Sequence, residues 1–388
     1  MKMDQTAVQV PASRTLLICF SHLRWDFVYQ RPQHLMTRAA RSYDVVFFEE
    51  PVFEEVESSF LRVRTHSLIL KVVTPVLKTG EGARDVIRIL EELLWKLLES
   101  CDYDRFIAWY YTPMALRFSA FLQSDVCVYD CMDELTAFKN APDELASLER
   151  CLFKRADLVF TGGQSLYEAK LGMHQRVFAF PSSVDAAHFE RARQGNRDPD
   201  DQAAIPHPRI GYFGVIDERL DTPLLARTAH AMRDVHFVMV GPVVKIDPGI
   251  LPAGPNIHWL GPKAYADLPA YMGQWDAGWM PFALNEATRF ISPTKTPEFL
   301  AAGLPVVSTE IVDVVRTYAV QGLVQIAEAN SMESALRNAL ARSNWDLAQV
   351  DAFLRNSSWD STWLAMQSLM DTVPRGHARG ADRVDAYV

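Results

Sequence analysis

Asn285–Ser308 reads NEATRFISPTKTPEFLAAGLPVVS. Its first half is a loop that passes through Ser292 and Pro293 into a helix start, which Ser292 or Thr294 can cap. A helix amino terminus presents free N–H groups and a partial positive charge, so it suits a phosphate. Lys295 in the first turn adds a full positive charge, and Glu298 shares its helical face three residues on. A carboxylate there can accept two hydrogen bonds from a ribose diol. Gly303 and Pro305 end the helix and open a short apolar strand. A Lys–Glu pair on an ordinary capped helix would use the same residues, so the segment alone leaves both readings open.

The flanking sequence repeats the same alternation. Arg209–Ile216, Phe237–Gly241, Ile257–Leu260, Pro305–Thr309 and Leu323–Ile326 are predicted strands, with helices predicted over Thr222–Asp234, Tyr265–Trp275 and Ser331–Ser343. In the first half, Thr15–Ser21, Asp44–Pro51, Leu68–Val73, Phe106–Tyr111, Val126–Asp130 and Leu158–Thr161 are predicted strands, and Arg31–Arg41 and Arg84–Ser100 have helical spacing. Continuous apolar strands suit a parallel sheet buried on both faces, and strand–helix alternation suits βαβ winding. The expected fold class is α/β, with two Rossmann-like wound domains facing a cleft. The expected divisions are 1–189, a polar linker 190–208, a second domain 209–352, a helix 353–372 that crosses back, and a disordered tail 373–388. Asp198 and Asp200 lie in that linker and read as solvated charge. In open wound sheets, ligands bind beyond the carboxyl ends of the strands, which directs attention to the loops there.

Composition narrows the function classes. The chain has 388 residues, 49% hydrophobic and 22% charged, with a net charge of −9. That balance argues against general nucleic-acid binding, and no apolar run reaches membrane-spanning length. The five cysteines are odd in number and read as buried thiols of a cytoplasmic protein, without a disulfide framework or zinc spacing. The helix at 84–100 has mixed charge, which favours packing on the sheet over lying on a membrane. No dinucleotide fingerprint, P-loop or nucleophile elbow occurs. Thr161–Ser165, TGGQS, is a small-residue turn that tight packing explains as well as phosphate contact does, and His22 and His34 read as structural.

The order Lys-x-x-Glu-Phe-Leu-Ala-Ala-Gly-Leu-Pro-Val-Val from Lys295 resembles the donor-site block of GT-B glycosyltransferases, in particular glycosyltransferase family 4. Gly211–Arg219, GYFGVIDER, is similar to their first carboxy-terminal strand and its diphosphate-binding basic residue. Pro181–Asp185, PSSVD, resembles the turn before the linker, and Ser357–Trp363, SSWDSTW, the returning helix. Phe20–Leu35, FSHLRWDFVYQRPQHL, looks like a bacterial polysaccharide subgroup. Three features depart from the family. The first Glu of its E-x7-E pattern is replaced by Phe290, leaving Asn285, Glu286, Thr288 and Arg289 as substitutes. Ser21, His22 and Leu23 stand where a Gly-Gly loop is usual. The usual Arg and Lys phosphate pair is reduced to Arg219, with Lys295 from the helix loop.

The resemblance implies sugar transfer from a nucleoside-diphosphate sugar, with UDP the commonest donor nucleotide, to a saccharide or lipid-linked acceptor in cell-surface polysaccharide synthesis. It implies retention, no cofactor and no metal. Donor contacts are expected from Gly214, Arg219, Asn285, Ser292, Thr294, Lys295 and Glu298. Lys295 and Arg219 would stabilise the leaving diphosphate. The acceptor side is expected to use Arg24, Trp25, Asp130 and Glu134, with Asp26 or Asp133 as base. A cytoplasmic location is expected, with peripheral contact at the inner face of the membrane following from a lipid-linked acceptor; no nucleic acid is expected. A sugar-nucleotide epimerase of the same fold, or a catalytically silent sugar-nucleotide or glycan-binding protein, would keep the same blocks.

Overall fold

A computed structural model describes residues 14–195, 197–342 and 345–374. Thr15–Ser21 (β1) is buried at every position, as its unbroken apolar run requires. The first sheet adds Asp44–Glu49 (β2), Val52–Glu54 (β3), Phe60–Ser67 (β4), Leu70–Lys78 (β5), Arg105–Tyr110 (β6), Val126–Cys131 (β7), Leu158–Thr161 (β8) and Val177–Ala179 (β9). Its order is β3-β5-β2-β1-β6-β7-β8-β9, with β4 on β5. The second sheet holds Arg209–Phe213 (β10), His236–Val240 (β11), Ile257–Gly261 (β12), Ala277–Met280 (β13), Val306–Ser308 (β14) and Gln325–Ile326 (β15), in the order β12-β11-β10-β13-β14-β15. Chain order reverses beside β1 and beside β10. These are the switch points at which wound sheets open a crevice.

β4 was not foreseen. It pairs antiparallel with β5 and is mostly exposed, carrying Arg62, Arg64 and His66. An edge strand with one solvated face gives no continuous apolar signal. The helix Ala83–Glu99 buries Leu90 and Leu94 and packs Ile87, Leu93 and Leu97 against the first sheet, in line with the sheet-packing expectation. No helix among the described residues is long and apolar enough to cross a membrane. All five cysteines are free, but Cys151 is exposed and Cys101 only half-buried, so the expectation of buried thiols holds for Cys19, Cys127 and Cys131.

The segment 190–208 behaves differently from a solvated linker. Ala192 and Ile205 belong to the second domain's core, together with Phe189. The side chain of Gln202 is fully buried and accepts from the Trp275 indole at 2.7 Å. Asp198 is only half-exposed: it pairs at 2.7 Å with Arg209, which is buried on β10. Asp200 does remain exposed, paired with Arg197. A few buried side chains among many charged ones fix this segment, and composition averages them away.

The helix Trp359–Asp371 crosses back. Trp359, Trp363, Met366 and Met370 pack into the first domain's core. Val373 is buried there too, while the rest of the expected tail, 375–388, lies outside the described residues. His34, on the helix Arg31–Ala39, stacks on Trp359 at 4.8 Å and 11°. Burial, helped by Arg38, lowers its pKa to about 3. The folded chain therefore binds fewer protons here than the unfolded one, so stability falls as pH drops below the free imidazole value. Each pH unit through that window costs about 1.4 kcal/mol at this site. His34→Phe is expected to flatten the pH slope of unfolding free energy between about pH 6 and 4, measured by denaturant titration.

Candidate functional site

The carboxyl ends of β1 and β10 face each other across a cavity of about 420 Å³ lined from both domains. Its second-domain wall is built on Gly214. This residue follows β10 with φ +121°, a conformation L side chains rarely adopt. A Cβ there would lie 2.2 Å from Lys295 Cε and 2.6 Å from Nζ. Glycine is therefore what lets the Lys295 side chain lie along the strand end. The ammonium sits 5.6 Å from the Tyr212 ring and 5.8 Å from that of Phe282.

Lys295 opens the helix Lys295–Ala301, and Glu298 on the same helix is 4% exposed. Burial lowers the Lys295 pKa, assisted by the charge of Arg219. Burial raises that of Glu298, against the pull of Lys295. Arg219 also lines the cavity and is held by Asp217, with Nε 3.0 Å from Oδ1 and Nη2 2.7 Å from Oδ2. The wall thus offers two cations and a buried carboxyl. Among the described residues no cluster of His, Cys, Asp and Glu could hold a metal ion.

Ser292 and Thr294 line the cavity, but neither side chain caps the helix. Thr294 itself has helical dihedrals, which take its hydroxyl away from the first-turn N–H groups. The Ser292 carbonyl instead accepts from the Ser182 hydroxyl at 2.7 Å. Asn285 is not brought into the cavity: it is exposed, caps a short turn at Glu286–Thr288 and donates to the Glu218 carbonyl. Glu286, Thr288 and Arg289 are also outside the lining. Phe290 packs against the core of the first domain, so the position of the family's first Glu serves an apolar interdomain contact.

On the first-domain side the candidates separate. Asp133 lines the cavity, and no hydrogen-bond partner of its carboxylate occurs among the described residues. Burial raises its pKa, while Arg219 and Arg31 oppose the rise. Asp26 is at the rim, largely exposed and paired with Arg64. Trp25 lines the cavity but is not a free stacking platform: it is 5% exposed and packs edge-on against Phe47 and His66. Arg24 points away and donates to the Pro51 carbonyl.

Asp130 and Glu134 have structural partners. Asp130 is fully buried and takes Arg31 through Nε at 3.1 Å and Nη2 at 2.8 Å. Glu134 pairs with Lys170 at 2.8 Å, and Lys170 also holds Glu149. Neither lines the cavity. Asp130 lies at the end of β7 and Glu134 in the loop after it, and the sequence shows that acids are present but not which way they turn. Breaking the Arg31–Asp130 pair leaves a buried guanidinium alone, which costs about 3–5 kcal/mol. Asp130→Ala is expected to lower thermal stability sharply, whereas Asp133→Asn keeps the melting temperature and impairs turnover. Melting curves beside activity assays check the contrast.

The TGGQS turn is explained by packing. A Cβ on Gly162 would meet the Met132 carbonyl at 2.2 Å, and one on Gly163 the Asp313 carboxylate at 2.3 Å. Asp313, from the second domain, accepts from the Ser165 backbone N–H at 3.1 Å. Sequence reasoning missed Tyr29 and Tyr265, which stack across the cavity at 4.5 Å, and His188, which stacks on Tyr265 at 4.2 Å. It also missed Asp217, although an acid two residues before Arg219 was a usable signal.

Comparison with known proteins fits this geometry. Residues 207–342 match the family described as glycosyl transferases group 1. A Bacillus subtilis protein assigned to teichuronic acid biosynthesis as the glycosyltransferase TuaH is 28% identical over 230 residues. That match spans 55% of this chain and 57% of the relative, so the chain spans little more than half of it. An E. coli structure described as trehalose-6-phosphate bound with UDP-2-fluoro glucose superposes with a TM-score of 0.68 at 13% identity, over 93% of this chain and 100% of that one. Sucrose-phosphate synthase from Thermosynechococcus elongatus gives 0.67 at 15% identity, over 92% and 98%. At such identities the superpositions speak for the fold, and the sequence match speaks for the second domain. The chain therefore has the GT-B fold, and its residues 207–342 are similar to the glycosyl transferases group 1 family.

Proposed function

We propose that this chain transfers a sugar from a nucleoside-diphosphate sugar to a saccharide or lipid-linked acceptor in cell-surface polysaccharide synthesis, with retention at the transferred carbon. The observation that carries the reading is the convergence of Lys295, Arg219 and buried Glu298 on one interdomain cavity, with Gly214 clearing the path of Lys295. Glu298 would hold the ribose diol, and Lys295 and Arg219 would receive the charge of the departing diphosphate. These cations supply the positive charge that a metal supplies elsewhere, so no metal or cofactor is included. Asp133 is the acceptor-side carboxyl that faces Arg219, and we assign it the acceptor hydroxyl. Asp26 would contact the acceptor farther out at the rim.

UDP is the proposed donor nucleotide, supported by the UDP-sugar in the description of a structural neighbour. Polysaccharide synthesis is supported by the biosynthetic assignment of the Bacillus subtilis relative. A lipid-linked acceptor would bring a cytoplasmic enzyme to the inner face of the membrane. The test is release of UDP from UDP-sugars in the presence of saccharide and lipid-linked acceptors. Acceptor-dependent release that Lys295→Met strongly lowers supports transfer. Interconversion of the sugar nucleotide without acceptor indicates an epimerase. Binding without turnover under any acceptor indicates a silent binding protein.

A further inference from the structure

Two cations of the second domain lie on one aromatic ring of the first. Phe138 follows the short turn Leu135–Ala137 in the loop after β7. The Arg219 guanidinium carbon is 5.6 Å from its ring centroid, and the Lys245 ammonium is 4.8 Å from it. Arg219 belongs to the cavity wall. Lys245 is exposed, stands in the loop after β11, and has φ +63°, a left-handed conformation uncommon for a long side chain. No carboxylate pairs with it among the described residues. Its charge reaches His22 and Asp133, both on the first domain.

Bringing two like charges to one ring costs repulsion, and the negative face of a phenyl ring offsets only part of it. A group with full negative charge and several acceptor oxygens would satisfy both cations better. A nucleoside diphosphate is such a group, and Arg219 is already one of its expected contacts. Resting on the donor reading above, we propose that Lys245 is a further donor-diphosphate cation, and that the diphosphate displaces Phe138 from Arg219 and Lys245. Lys245 stands just outside the cavity lining and would add a second loop cation beside Arg219. It also gives the first-domain loop 132–139 a direct response to donor binding: the segment that carries Asp133 moves when Phe138 leaves. No bond is made or broken in this step.

The test is calorimetric binding of UDP, GDP, ADP and TDP, and of the matching nucleosides, to wild type, Lys245→Met, Phe138→Ala and Glu298→Ala. The diphosphate that binds wild type is expected to bind Lys245→Met about tenfold more weakly, with a shallower salt dependence. Its nucleoside is expected to bind both alike. Phe138→Ala is expected to tighten diphosphate binding severalfold. Lys245 is exposed, so its variant should melt as wild type does. If Glu298→Ala loses binding while Lys245→Met keeps it, the role of Lys245 is overturned and the donor reading stands. Weaker diphosphate binding by Phe138→Ala overturns displacement, because the ring would then support the site. Failure of wild type to bind any of the four overturns both readings.

Discussion

Lys295→Met is expected to lower the rate of sugar transfer by about a hundredfold to a thousandfold, the usual range for removing one preorganised charge-stabilising group. Methionine nearly matches the length of the lysine side chain and fits beside Tyr212 and Phe282, so the fold should survive. What disappears is the charge that meets the leaving diphosphate. The loss should fall on kcat more than on KM, because negative charge grows on the leaving oxygen as the bond breaks. Gly214→Ala should reproduce much of this loss with Lys295 intact, since the new methyl would stand 2.2 Å from Lys295 Cε. Steady-state kinetics of both variants check the prediction. Full activity in Gly214→Ala would mean that Lys295 does not work from the position seen here.

Glu298→Ala is expected to weaken donor binding by about a hundredfold. Two hydrogen bonds from a ribose diol to a carboxylate are charge-assisted, and each contributes about 1.5 kcal/mol or more. Their sum of about 3 kcal/mol corresponds to about two powers of ten in Kd. The nucleoside alone should lose as much as the full donor, because the contact is to the ribose; calorimetry with both ligands measures this. A pH effect accompanies it. Glu298 raises the Lys295 pKa, opposing the lowering by burial and by Arg219. In Glu298→Gln that support is gone, so Lys295 should lose its proton at lower pH. The alkaline fall in kcat should then begin earlier than in wild type, which a pH–rate profile reads directly.

Much of the architecture was legible in one dimension because buried parallel strands must be apolar along their whole length. β1 and β10 stand out for that reason, and so do the loops that follow them. β4 escaped because an edge strand with a solvated face is written in Arg62, Arg64 and His66. The second-domain wall of the cavity was legible for a second reason. Lys295, Glu298 and Gly214 lie on a helix start or a strand end, where local geometry dictates direction. The first-domain wall lay beyond sequence reasoning because its acids cluster at the end of β7 and in the loop after it, where direction is not set by local geometry. Asp130, Asp133 and Glu134 are neighbours in the chain, yet one is fully buried against Arg31, one faces the cavity, and one turns to Lys170.

The sequence by itself determined two wound α/β domains, a returning helix and a helix-start block suited to a diphosphate and a ribose. These follow from short-range rules, namely apolar periodicity, strand–turn–helix order and the residue types that a helix terminus accepts. Only the tertiary structure decided which charges are available. A charged group that a partner buries, as Arg31 buries Asp130, is withdrawn from a ligand, and such partners come from other elements of the fold. Arg31 claims Asp130 across 99 residues, Arg209 claims Asp198 from a neighbouring segment, and Phe138 of one domain gathers Arg219 and Lys245 of the other.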